Sequence, residues 1–491
     1  MSSHIIRHII GRKLMHFFGR KKELEVLERL RMKKAASLAV VWGRRRIGKS
    51  TLIAEFLKGK KSWSFSGLPP QEHKTHQDEI NYFVREMARN IGMPELKTSD
   101  WSEVFWHLGN QAQKESNIII FFDEISWMGS KDSNFLGYLK TEWDKTFSKH
   151  PNLILILCGS VSSWIEENIL NSTGFFGRIS VKLEVKELSL IDCNHFWAPK
   201  KERISAYEKL KILGVTGGVP KYLEEIVPTE SAEKNINHLC FRQEGLLYRE
   251  YNQIFSDLFS KRAATFDKII RVLSGGAKNL DEICVTLGID KSGNISKYLH
   301  ELMSAGFISE DRTWNIKNKK ESNLKLFRLK DNYIRFYLKF IEPNSSKIEQ
   351  NGFSPDSITS LSGWEAIMAL QFENLVINNT NKLCEILGIS FQDVEKSGPF
   401  FQKKNTKNRG CQIDLLIQTK FGTLYLCEIK FYLSEVGKQV VAEVEEKIKR
   451  LAYPKGYSIR PVLIHVNGVT QGVIESGHFD KIIDFSEFLK S

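Results

Sequence analysis

Three short runs of apolar residues in the first third of the chain are separated by amphipathic segments. The runs lie at residues 37–42, 117–122 and 152–158, with the sequences SLAVVW, NIIIFF and NLILILC. Each run is apolar at consecutive positions, which is typical of strands buried on both faces of a parallel sheet. An amphipathic helical pattern at 51–57 follows the first run closely. The hydrophobic pattern therefore predicts an α/β domain.

The middle of the chain predicts three short helices and then a strand pair. The helical patterns lie between residues 266 and 308, and β-prone segments follow at 307–314 and 324–329, an order typical of a winged helix. On the third helix we expect apolar residues to face the core and polar residues to face solvent, namely Ile295, Tyr298, Leu299 and Leu302 against Lys291, Asn294, Lys297 and His300. Such a helix either enters a DNA major groove or packs against a neighbouring domain, and by analogy with other multidomain proteins we favour packing.

The last third of the chain places single acidic residues inside otherwise apolar segments. They are Glu373 in a helical pattern at 364–379, Asp414 in a predicted strand at 412–417, and Glu428 in its predicted hairpin partner at 424–430. A buried carboxylate is costly unless it is paired or bound to a cation. Lys430 shares a strand face with Glu428, because side chains repeat every two residues.

We therefore expect three carboxylates and one ammonium to converge on one pocket. Such oxygen ligands suit Mg²⁺ or Mn²⁺, and the metal would activate water while Lys430 orients or stabilises the attacking oxygen near a phosphodiester. The alternative is a salt-bridge cluster of Asp414, Glu428 and Lys430 on a sheet that only binds nucleic acid or regulates another domain.

Length, composition and charge narrow the class of protein. At 491 residues the chain predicts two to four domains. Because no apolar run approaches the length of a membrane span, a membrane protein is not expected. Lys and Arg exceed Asp and Glu by 71 − 58 = 13, which permits contact with nucleic acid. The seven cysteines show no paired C-x-x-C spacing, which favours a reducing cytoplasm.

The first apolar run leads directly into a glycine-bordered loop. Its pattern is G-x-x-x-x-G-K-S between a predicted strand and a predicted helix, and the residues assigned to the phosphate site are Gly43, Arg44, Arg45, Arg46, Ile47, Gly48, Lys49, Ser50 and Thr51. The two glycines allow several backbone N–H groups to face one anion, and the helix adds its dipole. In that setting Lys49 would reach the β- and γ-phosphates of ATP, Ser50 would ligate Mg²⁺, and Thr51 would lie near the α-phosphate.

Polar residues at the ends of the other two runs complete the predicted site. Asp123 would hold Mg²⁺ through its water shell, and Glu124 would polarise the water that attacks the γ-phosphate. Ser160 follows the third run and is a candidate sensor of the γ-phosphate. Arg178 either neutralises charge in the transition state or is an ordinary surface arginine.

Several of these motifs resemble a known group of proteins. They are residues 18–24 (FGRKKEL), the glycine-bordered loop, Asp123-Glu124, Gly159-Ser160, Gly177-Arg178 and residues 217–223 (GGVPKYL). They look like the motifs of archaeal-type ATPases, which belong among the AAA-like signal-transducing NTPases. The resemblance implies that residues 18–24 pack near the nucleotide base and that residues 217–223 lie in a helical lid. Two glycines before Pro220 independently predict a turn that introduces a helix.

The C-terminal region resembles the PD-(D/E)xK nucleases. Asp414, residues 428–430 and the helix acid Glu373 carry this resemblance, which implies a restriction-endonuclease-like fold and metal-dependent cleavage of DNA. Ile413 stands where the name pattern has proline, a common variation. Gln439 loosely matches a further polar position of that family.

The expected fold class is therefore α/β multidomain. It combines a parallel P-loop NTPase sheet, a helical lid, a winged helix and a C-terminal restriction-endonuclease-like α/β domain. The expected boundaries are an N-terminal extension at 1–16, the ATPase core at 17–190, the lid at 191–260, the winged helix at 261–341, a linker at 342–361 and the nuclease-like domain at 362–491.

Three classes of function are compatible with these features. The first is an ATP-gated nuclease acting on DNA, in which nucleotide binding exposes or orders the C-terminal site. The second is a regulatory or DNA-binding ATPase whose C-terminal domain is catalytically inactive. The third is a motor or remodelling protein that works as a homo-oligomeric ring, with arginines donated between subunits.

Overall fold

The computed structural model describes residues 17–69, 73–160, 162–259, 262–291, 293–353, 355, 357–404 and 409–490, so the predicted extension at 1–16 lies outside the described residues. The chain divides into two compact units, of which the first ends at Lys186 and the second begins at Glu187. Within the described ranges no helix is long and apolar enough to cross a membrane. All seven cysteines are buried, and none of these described residues forms a disulfide.

The first unit is built on a five-stranded sheet in which every neighbouring pair is parallel. Its strands are β1 (Ser37–Trp42), β2 (Ser62–Ser66), β3 (Ile118–Asp123), β4 (Leu153–Gly159) and β5 (Ile179–Glu184). The spatial order is β2-β3-β4-β1-β5, so the three apolar runs form the three adjacent inner strands. The predicted parallel α/β sheet is thus confirmed, and the residues after β1, β3 and β4 meet at one edge of it.

Helices cover both faces of this sheet. They are α1 (Lys21–Arg31), α2 (Lys49–Leu57), α3 (His76–Ile91), α4 (Trp101–Ala112), α5 (Ile125–Met128), α6 (Phe135–Lys145) and α7 (Ser162–Ile165), with short 3₁₀ and π turns at Phe147–Lys149 and Glu166–Leu170. Alternate residues of β1 enter different cores: Leu38 and Val40 pack with α3 and α4, whereas Ala39 and Val41 pack with α1 and α2. This alternation explains why the strand is apolar at every position.

The second unit begins with a series of helices. They are α8 (Leu190–Cys193), α9 (Ala206–Thr216), α10 (Pro220–Leu223), α11 (Ala232–Cys240), α12 (Leu246–Phe259), α13 (Ala263–Ser274), α14 (Leu280–Leu287) and α15 (Gly293–Ser304), with 3₁₀ turns at Asn194–Trp197 and Lys201–Arg203. The predicted turn at the paired glycines lies between α9 and α10, and Gly217 adopts a φ of 57°.

A two-stranded antiparallel sheet, β6 (Ile308–Trp314) and β7 (Glu321–Leu329), follows α13, α14 and α15. The predicted faces of α15 are confirmed: Ile295, Leu299 and Leu302 are buried, Tyr298 is half-buried, and Asn294, Lys297 and His300 are exposed. Lys291, which was assigned to the same helix, is exposed but lies two residues before it. The tip of the hairpin packs on the C-terminal sheet, where Trp314 Nε1 donates a 2.6 Å hydrogen bond to Gln418 Oε1. The hairpin therefore serves as a structural joint within the second unit.

The remaining elements form an α/β region around a mixed sheet. The helices are α16 (Asn332–Phe336), α17 (Ser345–Glu349), α18 (Trp364–Asn378), α19 (Thr380–Ile386), α20 (Gln439–Arg450) and α21 (Gln471–Glu475), with a π turn at Tyr337–Ile341 and 3₁₀ turns at Glu342–Asn344, Ile358–Ser360, Phe391–Asp393 and Phe485–Leu489. The expected linker at 342–361 thus contains helical turns, because Ile348 and Ile358 are buried in the core.

The strands of this region are β8 (Val394–Gln402), β9 (Cys411–Thr419), β10 (Thr423–Ile429), β11 (Ser458–His465) and β12 (Lys481–Asp484). They are arranged in the order β12-β11-β10-β9-β8. The predicted hairpin of β9 and β10 is confirmed as an antiparallel pair, and β8 extends it antiparallel, whereas β11 and β12 are parallel to β10. Asp414 and Glu428 therefore lie on two central, adjacent strands.

Candidate functional site

The loop after β1 has a backbone that requires its glycines. Gly43 and Gly48 adopt φ values of 152° and 85°, and Arg46 has a φ of 67°. A Cβ on Gly43 would lie only 2.2 Å from the carbonyl oxygen of Val185. Because neither the φ nor the space admits a side chain, Gly43 fixes the start of the loop. Helix α2 then begins at Lys49, so its first amides point toward the loop.

Lys49 lies inside the loop. Its Nζ donates hydrogen bonds to the carbonyl oxygens of Gly43 (2.9 Å) and Arg44 (3.0 Å), and the residue is only 5% exposed. A buried ammonium held by backbone carbonyls keeps a positive charge within the curve of the loop. Ile47 and Arg44 are also buried, Arg45 and Arg46 are half-buried, and Thr51 is exposed at the first turn of α2.

Ser50 meets the acid at the end of β3. Its Oγ donates a 2.7 Å hydrogen bond to Asp123 Oδ2. These two oxygens come from the loop helix and from a strand two places away in the sheet. A hydroxyl and a carboxylate at this distance form a hard donor set of the kind Mg²⁺ prefers, so the residues fit the metal expected beside a triphosphate.

Glu124 is held by the residue that follows β4. Ser160 Oγ lies 2.6 Å from Glu124 Oε1 and 2.7 Å from Oε2, and the Ser160 amide donates to Oε2 at 3.0 Å. Glu124 adopts a φ of 51° and precedes α5. Ser160 thus contacts and orients the carboxylate, which places these two predicted residues together at the edge of the sheet.

The C-terminal candidate residues form a second cluster. Glu428 is 1% exposed, and its Oε1 lies 3.0 Å from Lys430 Nζ. Asp414 Oδ2 accepts a 2.9 Å hydrogen bond from the amide of Ile429. Burial and the neighbouring charge of Glu428 raise the pKa of Asp414. The predicted convergence of Asp414, Glu428 and Lys430 is therefore seen in the structure.

Helix α20 adds two charged residues that the sequence patterns did not single out. Lys447 Nζ lies 2.5 Å from Glu428 Oε2 and 3.7 Å from Asp414 Oδ1, and Glu443 accepts a 2.8 Å hydrogen bond from Lys430. Burial lowers the pKa of Lys430, but the hydrogen bond that Lys430 donates to Glu443 and the charge of Glu428 outweigh it, so the pKa is raised. Gln439, the loosely matched position, is the first residue of this helix. The repeat of four residues from Gln439 to Glu443 and Lys447 was the available signal.

Glu373 lies on α18 beside the cluster, and within the described residues it forms no hydrogen bond to the cluster. Burial, together with the charge of Asp414, raises the pKa of Glu373 to about 7, and Arg328 and Arg335 oppose the shift. In the part of the chain that the structure describes, no three His, Cys, Asp or Glu side chains come together as a metal-binding group. The expected set of Glu373, Asp414 and Glu428 is therefore not gathered as a triad, because Lys430 and Lys447 take the oxygens of Glu428.

The helix that carries Glu373 is nevertheless firmly anchored. Arg335 Nη1 donates a 2.7 Å hydrogen bond to Gln371 Oε1, and Asn374 Nδ2 donates to the carbonyl oxygen of Leu329 at 3.1 Å. Gln371, Asn374 and Arg335 are almost fully buried. These bonds fix α18 on both sides of Glu373.

Residues 17–226 match the model of a family described as an ATPase domain predominantly from Archaea. The chain carries an archaeal-type P-loop ATPase domain. A protein of Methanocaldococcus jannaschii described as uncharacterized is 26% identical over 378 residues, which are 75% of this chain and 79% of that protein. A second protein of that organism, described as an uncharacterized ATP-binding protein, is 48% identical over 48 residues, which are 10% of this chain and 81% of that protein.

The fold of the archaeal-type ATPase is also similar to a solved structure. The walker-type ATPase of Pyrococcus abyssi superimposes with a TM-score of 0.50 and 18% sequence identity, covering 66% of this chain and 96% of that one. At this identity the likeness concerns the fold alone. The resemblance to archaeal-type ATPases is thus confirmed for residues 17–226.

Arg178 of the archaeal-type ATPase domain is engaged away from the loop. Its Nε and Nη2 donate to the two carboxylate oxygens of Asp144 on α6, at 2.7 and 2.8 Å. The hydrogen bond from Arg178 lowers the pKa of Asp144 to about 2. Arg178 could therefore contact a phosphate only if this bidentate ion pair with Asp144 opened.

Arg20 is a further candidate residue of the site, and the sequence did not predict its contact with the loop. Its Nη2 donates a 3.0 Å hydrogen bond to the carbonyl oxygen of Ile47, and its Nη1 pairs with Glu23 at 3.0 Å. Arg20 is only 6% exposed. Arg20 thus stabilises the phosphate loop of the ATPase domain through the backbone of Ile47.

Proposed function

We propose that this archaeal-type ATPase binds ATP with Mg²⁺ at the loop after β1 and hydrolyses it. The observation that carries the proposal is the 2.7 Å hydrogen bond between Ser50 and Asp123 at the mouth of a loop that already holds a buried lysine. The two strand-end acids and the loop lie at the carboxyl edge of one parallel sheet, where such folds bind their ligands.

Each residue has a role that follows from its position. The amides at the start of α2 and the ammonium of Lys49 would hold the β- and γ-phosphates. Ser50 and Asp123 would hold Mg²⁺, which when bound supplies charge neutralisation on the phosphate oxygens. Glu124 would orient the attacking water, and Ser160 keeps the Glu124 carboxylate in a single orientation through its hydrogen bonds.

The rate of ATP hydrolysis tests the role of Glu124. We expect Glu124→Gln to keep ATP binding and to slow turnover by about 10² or more, because the neutral amide cannot accept a proton from water. The matched control is Glu103→Gln, whose side chain is 52% exposed on α4. Equal turnover by wild type and Glu124→Gln would remove Glu124 from this role.

We further propose that the C-terminal region is a metal-dependent DNA nuclease gated by ATP. Asp414 and Glu428 lie on adjacent strands and share the ammonium of Lys447, so the pair already accommodates a cation. Two hard carboxylates also suit Mg²⁺ or Mn²⁺. When bound, the metal would supply an activated water, while Lys430 would stabilise the developing charge on the phosphodiester. The second candidate, a regulatory or DNA-binding ATPase with an inactive C-terminal domain, is favoured by the two lysines that neutralise Glu428.

A cleavage assay separates these two candidates. The full chain is incubated with supercoiled, linear or branched DNA and Mg²⁺ or Mn²⁺, with and without ATP. We expect metal-dependent cleavage that is lost in Asp414→Ala and Lys430→Ala and retained in Lys438→Ala, an exposed lysine immediately before α20. DNA left intact under every condition would contradict the nuclease and support the inactive module.

A further inference from the structure

Two neighbouring cavities lie in the second unit beside the carboxylate cluster, and together they are called the groove. A cavity of about 810 Å³ lies between the tip of the β6–β7 hairpin and the loop after α20. A second cavity of about 580 Å³ contains Glu428, Lys430 and Lys447. Phe401 and Gln402 line both cavities, so the two cavities adjoin at the end of β8.

The walls of the groove are fixed by hydrogen bonds. Gln402 Nε2 donates to the carbonyl oxygen of Arg450 at 2.9 Å, and Gln402 Oε1 accepts from the amide of Ala452 at 2.9 Å. These bonds tie the loop that carries Tyr453 to the end of β8. On the other side, Trp314 packs edge-on against Phe400 with 5.3 Å between ring centroids. These contacts hold the end of β8 against the loop after α20 and against the hairpin.

The surface of the first cavity combines cations with aromatic rings. Lys317 and Lys403 line it, both are exposed, and within the described residues neither forms a salt bridge. The acid that lines the same cavity, Asp281, is paired with Lys291. Tyr453 lines the groove with 42% of its surface exposed, and Phe401 is half-exposed beside it.

We propose that this groove binds single-stranded nucleic acid and leads it to the Asp414–Glu428 cluster. Unpaired lysines match phosphates, and exposed aromatic rings stack on bases. Bases in a duplex already stack on each other and offer only their edges, so Tyr453 and Phe401 require unpaired bases. The destination of the strand rests on the proposed nuclease, whereas binding in the groove does not.

The test measures binding without cleavage. The full chain in EDTA is titrated into a labelled oligothymidylate of about 20 nucleotides, and into a duplex of the same length, with fluorescence anisotropy as the readout. We expect the single strand to bind more tightly than the duplex. Tyr453→Ala should weaken single-strand binding about tenfold, whereas Tyr453→Phe should retain it because the stacking ring remains.

The lysines are tested through the salt dependence of binding. The double variant Lys317→Ala and Lys403→Ala should reduce the slope of log K against log salt by about 1.4, since each phosphate contact to a single strand contributes about 0.7. The control is Lys481→Ala, an exposed lysine on β12 at the opposite edge of the sheet. Its slope should equal that of the wild type.

Any of three results would contradict single-strand binding in the groove. They are no single-strand binding by the wild type, tighter binding of the duplex, or wild-type affinity in both Tyr453→Ala and the lysine double variant. The nuclease proposal fails separately. If binding in EDTA depends on the groove residues but DNA stays intact in Mn²⁺, the binding proposal stands and the nuclease proposal is wrong.

Discussion

At the scale of single residues, the phosphate site depends on a few side chains whose partners the structure identifies. Ser50 and Asp123, and likewise Ser160 and Glu124, were predicted to share one edge of the sheet, because the carboxyl ends of parallel strands coincide there. Lys447 and the Asp144 partner of Arg178 were not predicted. Each is a charged residue on an amphipathic helix, where the sequence pattern shows which face is polar but not which distant charge it meets.

Removal of the Ser160 hydroxyl should slow hydrolysis without weakening ATP binding. Ser160→Ala removes the hydroxyl that contacts both oxygens of Glu124 and keeps the amide bond to Oε2. A hydrogen bond to a charged group contributes about 1.5–3 kcal/mol, so we expect kcat to fall about 10- to 100-fold in steady-state ATPase assays. In the control Ser162→Ala the lost hydroxyl is buried without a hydrogen-bond partner within the described residues, so kcat should be unchanged. A wild-type kcat in Ser160→Ala would show that Glu124 needs no such orientation.

At the scale of elements, consecutive apolar positions and period-two patterns located the central strands closely. The prediction at 37–42 coincides with β1, and the predictions at 117–122 and 152–158 differ from β3 and β4 by one residue at each end. Strands at the edges of the sheets were harder to locate from the sequence. β5 alternates between exposed and half-buried positions, and β8 contains two register shifts, so neither has a continuous apolar signal. The spatial order of strands depends on contacts between distant segments, which local patterns do not encode.

The hairpin joint should be a major source of stability in the second unit. Trp314 is 5% exposed, and Gln418, which accepts its hydrogen bond, is fully buried. We expect Trp314→Ala to lower the free energy of unfolding by about 3–5 kcal/mol, as large-to-small changes in a core do. Denaturant unfolding followed by circular dichroism measures this loss. The control Trp106→Ala changes a side chain that is 52% exposed and should change stability little. A similar loss of stability in both variants would contradict the stabilising role of the hairpin.

Helix α3 contains a buried acid that should make stability depend on pH. Glu79 is 5% exposed, and burial raises the pKa of its carboxyl above the usual value of 4.5, although Ser130 donates a hydrogen bond to it. Because the folded state binds the proton more tightly than the unfolded state, the contribution of Glu79 is full below pH 4.5 and is lost as pH rises through the folded pKa.

We therefore expect Glu79→Gln to raise the melting temperature relative to the wild type, with a difference that grows from pH 5 toward pH 8. Thermal unfolding at a series of pH values measures the difference. The control on the same helix is Glu86→Gln, which breaks a surface pair with Arg89 and should not show this trend. A constant difference across the pH range would mean that Glu79 is ionised equally in both states.

At the scale of the whole molecule, the compact units and the sequence family divide the chain differently. The first unit ends at Lys186, whereas the family match continues to residue 226. The intervening helices α9 and α10 share a core with the C-terminal region, where a Cβ on Gly214 would lie 2.5 Å from Met368 Cε. The sequence predicted the turn that introduces α10, and the family resemblance implied a helical lid, but neither could show which neighbour buries these helices.

Truncation should reveal this division. A fragment of residues 17–226 leaves the apolar faces of α9 and α10 without the partners that bury Leu210, Leu213 and Tyr222. We expect it to bind the dye ANS and to aggregate more than a fragment of residues 17–186, which ends at the boundary of the first unit. Dye fluorescence and light scattering report both properties. Equal behaviour of the two fragments would contradict the assignment of α9 and α10 to the second core.

Calorimetric titration of the full chain with ATP and Mg²⁺ tests the central assignment most directly. We predict saturable binding by the wild type and by Lys58→Ala, which changes an exposed lysine at the other end of α2. Lys49→Ala should bind far more weakly, because it removes the ammonium buried within the loop. If the folded wild type took up no nucleotide, or if Lys49→Ala bound it equally well, the loop after β1 would not be the phosphate site.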